Sequence, residues 1–126
     1  MILSSAILCV VDDDPSVCTA LGRLLKSAGF RARTYGSARA FLDAERSGMP
    51  DVLILDLRMP DMDGLGLQAY LTASGRAPPI VFITAHEDEI ARKKAMASGA
   101  VAFFQKPFDE KNLLAVICRV LHLPAR

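Results

Sequence analysis

The chain has 126 residues, 52% of them hydrophobic, 23% charged and 6% aromatic, with a formal net charge of +1. That length fits one domain whose folding removes roughly two-thirds of the unfolded chain's surface from water, and the composition excludes a disordered chain. Balanced charge, no tryptophan and few aromatics argue against a base-stacking platform and against recruitment of DNA or an anionic membrane.

The first apolar run, Ala6-Ile-Leu-Cys-Val-Val11, predicts a strand. A helix follows from about Pro15 to Ala28, with Asp14 as N-cap, Pro15 at the first helical position and Gly29 at the C-terminal turn. Val17, Leu21, Leu24 and Ala28 form its inner face, and Cys18, Gly22 and Leu25 a second apolar stripe. Arg31-Ala-Arg-Thr-Tyr35 alternates and reads as an edge strand. The next helix follows Ser37, carries Ala40, Phe41 and Ala44, and stops near Gly48.

Val52-Leu-Ile-Leu55 predicts the third strand, and Asp61 and Asp63 read as turn residues before Gly64. A helix over about Leu65 to Ala73 ends before Gly75. Ile80-Val-Phe-Ile83 is the fourth strand. The helix after it opens with Glu87-Asp88-Glu89 at its positive dipole end, carries Arg92-Lys93-Lys94 on a solvated face, and closes before Gly99. Val101-Ala-Phe-Phe104 is the fifth strand. A last helix covers about Asp109 to Leu121, with Leu113, Val116, Ile117 and Val120 inward and Pro124 beyond its end.

Four of these strands are apolar on both faces, as strands in the middle of a covered parallel sheet are. Strand and helix alternate five times without linker or repeat. The expectation is therefore one α/β domain, a doubly wound open sheet with helices on both faces. Cys9, Cys18 and Cys118 are odd in number and widely spaced, which predicts buried reduced thiols and no zinc site. The apolar N-terminus lacks a basic flank and meets Asp12 early, so neither a leader nor a membrane span is expected, and the cytoplasm is the default location.

Chemistry gathers after the strands. Asp12 and Asp13 follow the first, Asp56 the third; Thr84 ends the fourth and Lys106 follows the fifth. In a doubly wound sheet these carboxyl ends share one edge, where ligands bind. Two like charges about 4 Å apart repel by roughly 4 kcal/mol at an effective dielectric near 20. Three carboxylates and one ammonium thus call for a cation, and an all-oxygen donor set suits Mg2+, with Mn2+ as a substitute. A carboxylate beside such a cation, faced by a lysine and a hydroxyl, has the parts for phosphoryl transfer to Asp56. Lys106 would neutralise charge on the phosphoryl oxygens, and the Thr84 hydroxyl would donate a hydrogen bond to one of them.

The segments Val10-Val-Asp-Asp-Asp14, Leu55-Asp-Leu-Arg-Met-Pro-Asp-Met-Asp-Gly64, Ile83-Thr-Ala-His86 and Phe104-Gln-Lys-Pro-Phe108 resemble, in order and spacing, the receiver domain of two-component response regulators. Asp56-Leu-Arg-Met-Pro-Asp-Met and Ala97-Ser-Gly-Ala-Val101 are most similar to FixJ-type regulators. The resemblance implies a CheY-like, flavodoxin-like sheet of strand order 2-1-3-4-5. It makes Asp56 the phosphoacceptor, Asp13 a direct metal ligand, Asp12 a ligand largely through water, and the Arg58 carbonyl a further ligand. It also implies a cis Lys106–Pro107 bond and a switch aromatic at Phe103, whose turning inward re-forms the surface of the fourth helix, fifth strand and fifth helix.

The implied partner is a sensor histidine kinase or histidine phosphotransfer protein, met through the Cys18–Leu25 stripe of the first helix. Homodimerisation on phosphorylation is implied through the switched surface. No helix-turn-helix follows Leu121, so either this is a single-domain regulator or the chain was cut from a longer protein, and direct DNA binding is not expected.

Plainer readings compete. Phe103 could be ordinary core, His86 a loop residue rather than a modulator of phosphoryl hydrolysis, Thr84 a helix cap, and Asp14 is assigned to structure. A phosphatase of the haloacid dehalogenase type would use the Asp-x-Asp pattern of Asp12 and Asp14 and leave Asp56 idle. A receiver used only as a phosphorylation-independent interaction module is the third reading.

Overall fold

The computed structural model describes residues 5–45 and 48–124. In chain order the elements are β1 (Ile7–Val11), α1 (Pro15–Ser27), β2 (Arg31–Tyr35), α2 (Ala38–Ala44), β3 (Val52–Asp56), α3 (Gly64–Ala73), β4 (Ile80–Thr84), α4 (Glu89–Ala97), β5 (Ala102–Gln105) and α5 (Glu110–Val120). The strands form one parallel sheet in the order β2-β1-β3-β4-β5, as expected.

Alternate strand residues feed two separate cores. Leu8, Val10, Ile54 and Ile83 pack with Leu21 and Leu25 of α1 and Leu113 and Ile117 of α5. Cys9, Leu53, Leu55 and Phe82 pack on the other face with Phe41 of α2, Leu67 and Leu71 of α3, and Ala91 and Ala95 of α4. Strands apolar on both sides are what such two-sided cover requires. Each fully buried Leu or Ile contributes about 1.5–3 kcal/mol.

Each helix opens on a side-chain cap. Asp14, Ser37, Asp63, Asp88 and Asp109 each accept a hydrogen bond from a first-turn amide. Asp14 therefore does the structural work assigned to it, and Asp63 proves to be a cap. Asp61 adopts a left-handed turn conformation with φ 68°.

Some expectations need correction. The Cys18–Leu25 stripe is not a surface: Leu25 and Gly22 are buried and Cys18 is half-buried. Helix α1 lies against both β1 and β2, so its inner face is wider than a single row of residues. Cys9 and Cys118 are buried as expected, whereas Cys18 is not fully so. Strand β5 is the far edge of the sheet, its residues half-buried or exposed rather than enclosed. Helix α4 begins at Glu89, since Asp88 caps it, and α2 ends at Ala44 with Glu45 as its C-cap. Residues 46–47, before the predicted stop at Gly48, and residues 1–4 of the apolar N-terminus lie outside the described residues. Among the described residues no helix is long and apolar enough to cross a membrane.

Candidate functional site

Parallel pairing carries the ends of β1, β3 and β4 to one edge, with Val11 opposite Leu55 and Asp56 opposite Ile83. The residues that follow emerge together. Asp12, Asp13 and Asp56 each offer a carboxylate oxygen within 4.8 Å of the others. Asp12 and Asp56 are buried and Asp13 is exposed. The donor set is all oxygen with one open side, which fits a hard divalent cation that retains waters.

Lys106 closes the cluster from β5. Its Nζ lies 2.9 Å from Asp12 Oδ2 and 4.0 Å from Asp56 Oδ1. The other Asp12 oxygen accepts the Asp14 amide at 2.9 Å, so both of its oxygens are engaged within the chain. The Lys106 amide donates to the Thr84 carbonyl at 2.7 Å, and the Lys106–Pro107 peptide bond is cis.

Asp56 bears the electrostatic cost. Burial, then the Asp12 charge, push its carboxyl up from 3.8 to about 7, against the opposing pull of Lys106. A cation added beside it would favour its charged form.

Thr84 is buried beside this cluster, and its hydroxyl oxygen accepts the His86 amide at 3.2 Å. It shapes the β4–α4 turn, while Asp88 is the residue that caps α4. His86 itself is exposed. Phe103 pairs with Phe82 in register, their ring centroids 6.0 Å apart. It borders a cavity of about 190 Å³ shared with His86, Asp88, Arg92 and Gln105, so the half-buried ring has open space beside it. The Arg58 side chain turns outward to Asp88 at 3.0 Å. Asp14 stays out of the acidic cluster, bound to the Ser16 amide and hydroxyl, which removes the second acid of an Asp-x-Asp phosphatase pair.

Sequence reasoning missed three contributors. Gly64 opens α3 directly against the Asp56 backbone, and its amide donates to the Leu57 carbonyl at 2.9 Å. Buried Gln68 donates from Nε2 to the Ala95 carbonyl at 3.0 Å, clasping α3 to α4. Buried Glu45 takes the Tyr35 hydroxyl at 2.6 Å and Arg33 at 3.2 Å, fixing α2 to β2. A glycine at a helix start was the one visible signal among these.

Residues 8–118 match the family model described as response regulator receiver domain. The chain belongs to that family. This receiver domain is 42% identical over 118 residues to response regulator protein TmoT of Ectopseudomonas mendocina, covering 94% of this chain and 54% of the relative. It is 40% identical over 119 residues to TodT of Pseudomonas putida, covering 94% of this chain and 52% of the relative. The chain therefore spans about half the length of these curated relatives. Among solved structures, FixJ-N superposes with a TM-score of 0.86 at 35% identity, covering 98% of this chain and 100% of that one. A receiver protein from Burkholderia phymatum gives 0.83 at 44% identity, covering 96% and 98%. Both curated relatives are response regulator proteins, and what this chain shares with them is the receiver domain.

Proposed function

We propose that Asp56 of this receiver accepts a phosphoryl group from the phosphohistidine of a sensor histidine kinase or histidine phosphotransfer protein in the cytoplasm. One observation carries the reading: a buried carboxylate, its pKa raised to about 7, sits in a three-carboxylate cluster with a lysine 4.0 Å away. The Asp56 carboxylate oxygen attacks phosphorus, the P–O bond forms as the P–N bond breaks, and the histidine imidazole leaves.

Asp13, Asp56 and the Arg58 carbonyl would hold Mg2+ or Mn2+, with Asp12 joining through water. When bound, that cation supplies positive charge to the phosphoryl oxygens. Lys106 supplies more of the same from the opposite side. Thr84 gives up its bond with the His86 amide and donates its hydroxyl to a phosphoryl oxygen, while Phe103 turns toward the space vacated. His86, exposed at the mouth, modulates access of water to the acyl phosphate. The altered surface of α4, β5 and α5 is then the one offered to a downstream partner or to a second copy. The chain assists its own phosphorylation and dephosphorylation without turning over an external substrate.

Acetyl phosphate with Mg2+ tests this directly. Intact mass spectrometry should show one added phosphoryl group in the parent and none in Asp56→Asn. A persistent label in that variant, or none in the parent, overturns the assignment.

A further inference from the structure

Asp88 divides its two carboxylate oxygens between different tasks. Oδ1 accepts the Ala91 amide at 2.9 Å and caps α4. Oδ2 accepts the Arg58 guanidinium at 3.0 Å. Arg58 stands two residues beyond Asp56, so the first turn of α4 is tied to the segment that carries the acidic site.

The two ends of α4 are held differently. Towards its C-terminal end, Ala95 is buried and its carbonyl is clasped by Gln68. At the N-terminal end, a solvent-open pocket of about 190 Å³ is lined by Asp88, Glu89 and Phe103, so this end of the helix borders open space. Asp88 also stands between Glu87 and Glu89, with Arg58 neutralising part of that negative charge.

We propose that the Arg58–Asp88 ion pair is a latch: it holds the N-terminal end of α4 while Asp56 is unmodified, and a phosphoryl group on Asp56 opens it by drawing the guanidinium away. The inference rests on Asp56 being the phosphoacceptor. A phosphoryl group brings close to two negative charges and three acceptor oxygens, a stronger partner for a guanidinium than one half-exposed carboxylate. Once released, Asp88 keeps its cap through Oδ1, but the acidic turn now faces new negative charge and is repelled. Helix α4 then pivots about its Gln68 clasp. Arg58 and Asp88 are positioning residues in this exchange.

The test compares the parent with Asp88→Asn, Arg58→Gln and the double variant, following the amide resonances of Ile90, Ala91 and Arg92 with and without beryllofluoride and Mg2+. Asparagine retains a cap oxygen, so α4 still forms. In Asp88→Asn without beryllofluoride, these resonances should move part-way towards the positions they take in the beryllofluoride-bound parent. Arg58→Gln should move them similarly, and the double variant no further than either alone. Exposed ion pairs are weak, so Asp88→Asn should bind beryllofluoride about two- to fivefold more tightly. Arg58→Gln should show no such gain, because it also loses the new contact. A parent that responds to beryllofluoride while Asp88→Asn matches it in resonances and affinity overturns the latch alone. A parent that does not respond overturns the Asp56 reading and the latch with it.

Discussion

Gly64 and Asp56 touch through their backbones. A β-carbon at Gly64 would collide with the Asp56 carbonyl oxygen and would lie 2.9 Å from Cε1 of Phe82. The first turn of α3 thus approaches the end of β3 more closely than any residue with a side chain allows, and Asp56 is held from behind as well as along the strand.

Gly64→Ala should accordingly destabilise the fold by about 1–3 kcal/mol, the usual cost of overpacking a close contact. Urea unfolding measures the loss. Because the clash falls on the Asp56 backbone, phosphorylation by acetyl phosphate should slow even where the variant remains folded. A change of less than about 0.5 kcal/mol, as at an ordinary surface site, would refute the close approach.

The raised carboxyl of Asp56 makes stability depend on pH. Its value goes from 3.8 to about 7, so the folded chain favours the neutral acid. Without a cation, this group's contribution should fall as pH rises from about 4 to about 7 and level off above. Asp56→Asn, always neutral, should be more stable than the parent at pH 8 by at most about 4 kcal/mol, with the gain vanishing near pH 4. Mg2+ should raise the melting temperature of the parent more at pH 8 than at pH 5, and that of Asp56→Asn less. Calorimetry with and without Mg2+ at both pH values checks all three.

Leu25 distinguishes core from docking face. Fully buried with Leu21 between α1 and the sheet, it should cost about 2–5 kcal/mol when changed to alanine. Arg23→Ala on the exposed side of the same helix should cost less than about 0.5 kcal/mol. Near-equal losses in denaturant unfolding would return Leu25 to the surface.

Lys106→Gln removes the ammonium from between Asp12 and Asp56. Phosphorylation by acetyl phosphate should slow by about 100-fold, the scale seen when one preorganised donor is lost from a transition state. Quench-flow or stopped-flow rates against the parent measure it. An unchanged rate would mean that the 4.0 Å approach of Nζ to Asp56 serves only to balance charge.

The fold was largely legible because its signals are local. Val52-Leu-Ile-Leu55 and Ile80-Val-Phe-Ile83 are apolar on both faces wherever they are placed, and only a covered parallel strand accommodates that. The site was legible for a related reason. Acids, a threonine and a lysine that each follow a strand must share an edge once the strands are parallel, which is how Asp12, Asp56 and Lys106 come together. Asp14 and Asp63 were readable as local residues because a cap binds amides two or three positions away.

What escaped the sequence depends on distances between segments far apart along the chain. The burial of Leu25 was settled by how α1 lies across β1 and β2, and the partial exposure of β5 by its place at the sheet's edge. The bonds of Gln68 to Ala95, Glu45 to Tyr35 and Arg58 to Asp88 join groups 27, 10 and 30 positions apart, and no periodicity records such pairings. The sequence by itself determined the alternation of elements and the identity of the groups at the acidic edge, because short-range patterning dictates both. Tertiary structure alone decided which helix face is inside, how closely Gly64 approaches Asp56 and where α4 is tied, because each follows from packing in three dimensions.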